Sequence, residues 1–241
     1  MPANLSTLLD MASWENQYIQ LVTTKPDIIV AEADRESPLQ SKAVIQQKLP
    51  LFQGVYVEIG SGSGLHLLKL AEQNPNMLCV GLEIRFKRAF KTGEKAESLG
   101  LNNVLVLRTD ARNIDQLFNT GEVAAFFVNY PDPWDKRRWK KNRILNEQML
   151  LTMHRLLRPG GYLRYKTDHA EYFHSTSQLL ASEQWHRTKY STNLLTSEWA
   201  VENIPTEFEY LFKSQEKSLH LIEVVKKDQP CASDLLKNHS Q

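Results

Sequence analysis

From Val55 onward, short runs of β-branched and aromatic residues alternate with stretches of helical spacing, and this alternation constrains the fold more than any other feature of the chain. Strand-like runs fall at residues 55–59, 77–84, 104–109, 124–130 and 162–167, with helix-compatible stretches at 65–73, 87–99, 114–118 and 145–157. Runs that short and that apolar suit strands buried on both faces, and their spacing predicts a parallel sheet covered by helices on both sides. After Thr167 the rhythm changes, with a helix expected over 172–182 and further strands over 185–190 and 219–226. The expectation is an α/β, Rossmann-like architecture whose seven-stranded sheet is mostly parallel.

Ahead of Pro50 the sequence is mixed, broken by Pro26 and Pro38, and only residues 40–49 carry a helical pattern. Residues 1–36 are therefore expected to form a loosely ordered arm, 37–227 one domain, and the polar 228–241 a flexible tail. A chain of 241 residues suits that division. No run approaches the eighteen or so apolar residues of a membrane span, and the first ten residues lack the basic and then apolar pattern of a secretory signal. A cytoplasmic protein with no membrane partner is expected. Cys79 lies in an apolar run and Cys231 near the end. They match neither a disulfide framework nor paired metal-ligand spacing, and no metal is expected.

The run V-Y-V-E-I-G-S-G-S-G-L-H, Val55 to His66, reads as a strand, a turn carrying Gly60, Gly62 and Gly64, and the start of a helix. Such a turn lets a ligand approach the backbone and meet a helix N-terminus. Dinucleotide enzymes place their third glycine three residues after the second, whereas Leu65 stands there and the glycine comes one residue earlier. The spacing resembles the first motif of class I S-adenosylmethionine methyltransferases. Three acids fall at the carboxyl ends of expected strands, where open α/β sheets bind ligands: Glu58, Glu83 and Asp110. The resemblance implies that Glu83 accepts hydrogen bonds from the ribose hydroxyls, Asp110 meets the adenine amino group, and Glu58 lies near the cationic amino acid end of the cofactor.

The net charge of +1 gives no global sign of a polyanionic partner, but K-R-R-W-K-K-N-R, Lys136 to Arg143, holds six cations and no acid. It follows F-F-V-N-Y-P-D-P-W, in which Pro131 and Pro133 stiffen a turn around Asp132. Here the chain resembles the tRNA (guanine-N7)-methyltransferase family, whose hallmark is a P-D-P-W turn followed by a lysine and a basic stretch. Lys166-Thr167-Asp168 and Thr206-Glu207-Phe208-Glu209 match two further segments of that family in order, so the resemblance spans about residues 55–225.

The resemblance implies transfer of a methyl group from S-adenosylmethionine to N7 of a guanine in the tRNA variable loop. It makes Asp132 the central residue, beside the cofactor as well as the base, with Lys136, Asp168, Thr206, Glu207, Phe208 and Glu209 contacting the substrate. Cations of the basic stretch would meet phosphates, and Trp134 and Trp139 would stack on bases or anchor the turn. A monomer or homodimer without an obligate partner is expected. Departures from the pattern are Trp139 for histidine, Asn142 for arginine, Asp135 before the lysine, and Asn203-Ile204-Pro205 before the last segment. They leave open an RNA-binding protein that keeps the fold without catalysis. Asn129-Tyr130-Pro131 leaves open an amino-group methyltransferase, although Asp132 interrupts the paired prolines such enzymes carry. A nicotinamide dehydrogenase is the remoter reading of the glycine turn.

Overall fold

A computed structural model describes residues 16–31 and 39–227. Along the chain its elements are α1 (Tyr18–Val22), β1 (Ile29–Ala31), α2 (Leu39–Lys48), β2 (Val55–Ile59), α3 (Leu65–Gln73), β3 (Leu78–Leu82), α4 (Phe86–Ser98), β4 (Val104–Arg108) and α5 (Ile114–Leu117). There follow β5 (Val123–Asn129), α6 (Glu147–Leu156), β6 (Leu157–Thr167), α7 (Ala170–Leu179), β7 (Trp185–Ser191), α8 (Glu207–Ser214) and β8 (His220–Lys226). The strands make one sheet in the order β1-β4-β3-β2-β5-β6-β8-β7, parallel from β1 to β6, with β8 antiparallel to both of its neighbours.

The apolar runs dictate this layering. Every residue of β5 is buried, because alternate side chains enter opposite layers of the core. Phe126 and Val128 join Ile45 of α2, Leu117 of α5, Met153 of α6 and Tyr172 of α7. Ala125 and Phe127 face the other way, toward Val22 of α1, Leu67 of α3 and Ala96 of α4. Cys79 of β3 is part of that second layer; burial, with the nearby Glu58 charge, pushes its thiol up to about 12 and leaves it a packing residue. Cys231 and the expected tail lie outside the described residues.

Two expectations need correcting. The sheet has eight strands, not seven, and the extra one comes from the segment read as an arm. Ile29–Ala31 pairs in parallel with Val106–Arg108, and Val106 N–H donates to the Ile28 carbonyl at 2.7 Å. Ile29 and Val30 are buried, one in each core layer. A three-residue strand is too short to show alternation, so periodicity could not reveal it. Its burial implies that Ile29→Ala lowers unfolding free energy by about 2–5 kcal/mol. A urea titration checks this; an arm outside the domain would leave the midpoint unmoved.

Candidate active site

The order of the strands locates the site. From β2 the chain first adds β3 and β4 on one side, then returns to add β5 and β6 on the other, and ligands of open α/β sheets bind at the carboxyl ends flanking such a reversal. A cleft of about 340 Å³ opens there, and its walls include Gly60, Glu83, Asp110, Asn129, Asp132 and Phe208. Five separate stretches of sequence thus meet in one cleft.

The three glycines do different work. Gly60 lines the cleft at φ +73°, where a Cβ would meet nothing within 4 Å, so the backbone lies open to a ligand. Gly62 donates its N–H to Glu83 Oε2 at 3.0 Å. Gly64, at φ +88° on the N-terminus of α3, has packing as its reason: a Cβ there would come 2.5 Å from Thr92 Cγ2 of α4. Contrary to the expectation for Gly62 and Gly64, neither lines the cleft.

Glu83 is buried at the end of β3, and its other oxygen accepts from Arg85 N–H at 2.8 Å. Burial pushes this carboxyl above its ordinary range, opposed by the Arg85 and Gly62 N–H groups and by the Arg88 and Arg85 charges. Each oxygen still has acceptor capacity for a diol. Asp110 caps a short 3-10 turn, accepting from Arg112 N–H at 2.9 Å. Glu58 does not line the cleft. It is buried behind Asn129, whose side-chain amide donates to Glu58 Oε1 at 2.8 Å, with His66 Nδ1 3.2 Å from the same oxygen. Glu58 Oε2 and Asn129 Oδ1 remain buried without partners. Two orphaned acceptors in one buried pair call for a donor, and a cationic ammonium entering beside Asn129 fits that need.

Asp132 occupies an exposed turn between two left-handed residues, Tyr130 at φ +50° and Trp134 at φ +48°, and the turn overhangs the cleft mouth. Phe208, 41% exposed on the first turn of α8, stands on the cleft wall and packs toward Tyr130 at 6.4 Å between ring centroids. Trp134 also lines the cleft and meets Trp139 edge-on at 6.2 Å.

Other expected substrate contacts are engaged elsewhere. Thr206 caps α8, its hydroxyl accepting from Glu209 N–H at 3.2 Å. Glu209 is buried in an ion pair with Lys166, 2.5 Å apart, and Lys166 also donates to Ile204 O and Asn203 Oδ1. Burial lowers the affinity of Lys166 for its proton, and the Glu209 charge only partly offsets this. Asp168 pairs with Lys217 at 2.9 Å, and Glu207 Oε1 accepts from Leu65 N–H at 3.3 Å, linking α8 to the glycine turn. Lys136 lies over the Trp139 ring at 4.7 Å, outside the cleft wall. None of these residues lines the cleft.

The basic stretch is not one solvated face. Arg137, Arg138 and Lys141 are exposed, but Lys140 pairs with Glu171 at 2.9 Å and Arg143 is buried against α7. Sequence reasoning also missed Arg85, Arg88 and Arg112, which line the cleft from the opposite lip, and Asn129 as a partner of Glu58. A polar residue ending the run F-F-V-N was the available signal for the last. Among the described residues no group of three metal-ligating side chains occurs, and no helix is long and apolar enough to cross a membrane.

Hydrogen bonds from Arg143, then from Lys140, hold the Glu171 carboxyl well below its ordinary value, at about 2. A depressed carboxylate favours the fold above its ordinary value of 4.5, and that contribution is lost as pH falls toward 2. Glu171→Gln should therefore flatten the acid limb of the stability curve within that window. Parallel acid titrations that superimpose would refute the pairing.

A family model described as "Putative methyltransferase" matches residues 53–222. A bifunctional glycosyltransferase/methyltransferase of Fusobacterium nucleatum subsp. nucleatum is 33% identical over 213 residues, 88% of this chain and 33% of that protein. The chain thus spans a third of that relative. A tRNA (guanine-N(7)-)-methyltransferase of Clostridioides difficile is 33% identical across 72% of this chain and 81% of its own. Its counterpart from Lachnoclostridium phytofermentans is 32% identical across 69% and 78%. Among solved structures, the 16S rRNA methyltransferase KamB superposes with a TM-score of 0.58 at 19% identity, covering 77% of this chain and 94% of its own. TrmN from Thermus thermophilus gives 0.53 at 16%, covering 78% and 48%. The fold is the Rossmann-like one of class I methyltransferases.

Proposed function

We propose, from the premise that this chain belongs to the tRNA (guanine-N7-)-methyltransferase family, that it transfers the methyl group of S-adenosylmethionine to N7 of a guanine in the tRNA variable loop. The observation that carries this reading is the meeting of Asp132 with Gly60, Glu83 and Asp110 around one cleft.

S-adenosylmethionine bound there would supply a methyl group on a sulfonium, whose C–S bond breaks as the N7–C bond forms, so that positive charge passes to the purine. Glu83 and Asp110, which line the cleft, would meet its ribose and adenine, and Asn129, backed by Glu58, its ammonium. Guanine N7 carries a lone pair and no proton, so the site needs no general base. What the protein supplies is alignment, which in favourable cases lowers a barrier by about 7–11 kcal/mol. Asp132, exposed at the mouth, accepts from the N1–H and N2–H groups of guanine and offsets the charge the ring acquires. Phe208 and Trp134 flank that position with aromatic surface suited to an unstacked base, which must leave its place in the folded tRNA to arrive. Arg137, Arg138 and Lys141 on one lip and Arg85, Arg88 and Arg112 on the other offer phosphates a cationic frame.

The direct test incubates the protein with labelled cofactor and unmodified tRNA, then maps alkali-labile scission. Label at the N7 of guanine is expected; label on an exocyclic amine would establish the amino-group reading, and RNA binding without transfer the non-catalytic one. Asp132→Ala should reduce turnover about 100-fold while S-adenosylhomocysteine affinity changes little, and normal turnover would remove Asp132 from the reaction. Replacing Arg137 and Lys141 with glutamine should make the slope of log K against log salt shallower by about 0.9 for each duplex phosphate no longer neutralised. An unchanged slope would mean that this lip does not meet the backbone.

A further inference from the structure

We propose that Arg143 is a positioning residue for Asp132, its guanidinium fastening the 131–134 turn to the first turns of α7 so that Asp132 stays over the cleft. The inference rests on the methyl-transfer reading of that cleft. It also assigns a new role to a residue whose place in a run of cations marks it as a phosphate ligand.

The turn has little means of holding its own shape. Pro131 and Pro133 carry no N–H to donate, and the flanking residues Tyr130 and Trp134 both adopt the left-handed region without being glycine. A backbone disfavoured at both ends persists only where the surroundings hold it. Arg143 does so with every part of its fork. Its Nε–H donates to the Pro133 carbonyl, one residue beyond Asp132, at 2.8 Å. Nη2 pairs with the Glu171 carboxylate, Nη1 donates to Ser175 Oγ at 3.3 Å, and the guanidinium lies over the Tyr172 ring at 4.4 Å.

The platform under it is firm. Tyr172 is buried, and its hydroxyl accepts from Leu145 N–H at 2.9 Å, which fixes the chain just after Arg143. A second tie ends on the same helix terminus. His169 Nδ1 accepts from Tyr172 N–H at 3.0 Å, leaving Nε2 to meet Asp135 Oδ1 at 2.6 Å. Glu171 is half exposed and is shared by Arg143 and Lys140, so the brace consumes charge that would otherwise face the nucleic acid. Lysine could not replace this arrangement, since one ammonium cannot bond the carbonyl, pair with Glu171 and stack on Tyr172 together.

Single-turnover transfer, tRNA affinity across a salt series and amide exchange over residues 130–145 test the proposal in Arg143→Gln, Arg143→Lys and Glu171→Ala. A brace predicts a rate at saturating tRNA reduced tenfold to about hundredfold in both Arg143 variants, with S-adenosylhomocysteine affinity and salt slope unchanged. Glu171→Ala should slow the reaction in the same direction although it removes an acid from beside Lys140, and exchange across the turn should quicken. A normal rate in Arg143→Gln with a salt slope shallower by about 0.9, the share of one phosphate, would make Arg143 a phosphate ligand and overturn the proposal. Should Arg143→Gln fail to fold, Glu171→Ala decides, and unchanged rate and exchange in it are equally fatal. A wild-type protein that transfers no methyl would defeat the activity instead, and exchange, which needs no turnover, would still judge the brace.

Discussion

Between β2 and β5 the chain reverses the direction in which it adds strands, and at that seam the Asn129 amide donates to the buried Glu58 carboxylate 2.8 Å away. A parallel sheet aligns the carboxyl ends of its strands, so every loop that leaves them emerges on the same edge. The glycine turn, the Glu83 and Asp110 segments and the 131–134 turn share a cleft for that reason, although up to seventy or so residues separate them in sequence. The cost is an acid taken out of water at the seam. Asn129 and the nearby His66 offset part of that cost, and Glu58 Oε2 stays buried without a hydrogen-bond partner.

Strands that the core buries on both faces were legible because burial on both sides demands unbroken apolar runs, as in Val123–Asn129. The helix Leu65–Gln73 follows from a glycine turn and a strong apolar stripe. What escaped was short or depended on distant partners. Ile29–Ala31 is too brief to carry a period, and its place on the sheet edge is set by β4, more than seventy residues on. Thr206 to Glu209 looked like a contact surface, yet its pattern of a hydroxyl followed three residues later by an acid is also that of a helix start. The structure uses it so: Thr206 caps α8 and Glu209 turns inward to Lys166. Only Phe208, between them, projects onto the cleft wall.

The same lesson holds for charge. Six cations in eight residues suggested one phosphate-binding face, but a 3-10 turn over Arg137–Asn142 points successive side chains in different directions. Lys136 and Arg138 lie on the Trp139 ring, Lys140 and Arg143 share Glu171, and Arg137 and Lys141 form no ion pair among the described residues. Trp139, which departs from the family's histidine, is thereby held between two cations and the edge of Trp134. Its substitution adds aromatic packing to the basic lip. Opposite, Arg85, Arg88 and Arg112 supply cations that no continuous run announced.

The distribution of perturbed protonation bears on the kind of chemistry the cleft can do. Burial pushes up Tyr130, Tyr162, Tyr165 and Tyr172, and of these Tyr130 alone reaches the cleft wall. Desolvation and then the charges of Glu209 and Asp168 keep its phenol protonated, so it cannot serve as a base. Glu83, the cleft carboxylate that burial raises, already accepts two backbone N–H groups. Those bonds fix its orientation and favour its ionised form. A nucleophile that had to shed a proton would need a poised acceptor beside it. A purine N7 carries a lone pair and no proton, so under the methyl-transfer reading the cleft has to supply alignment and no poised base.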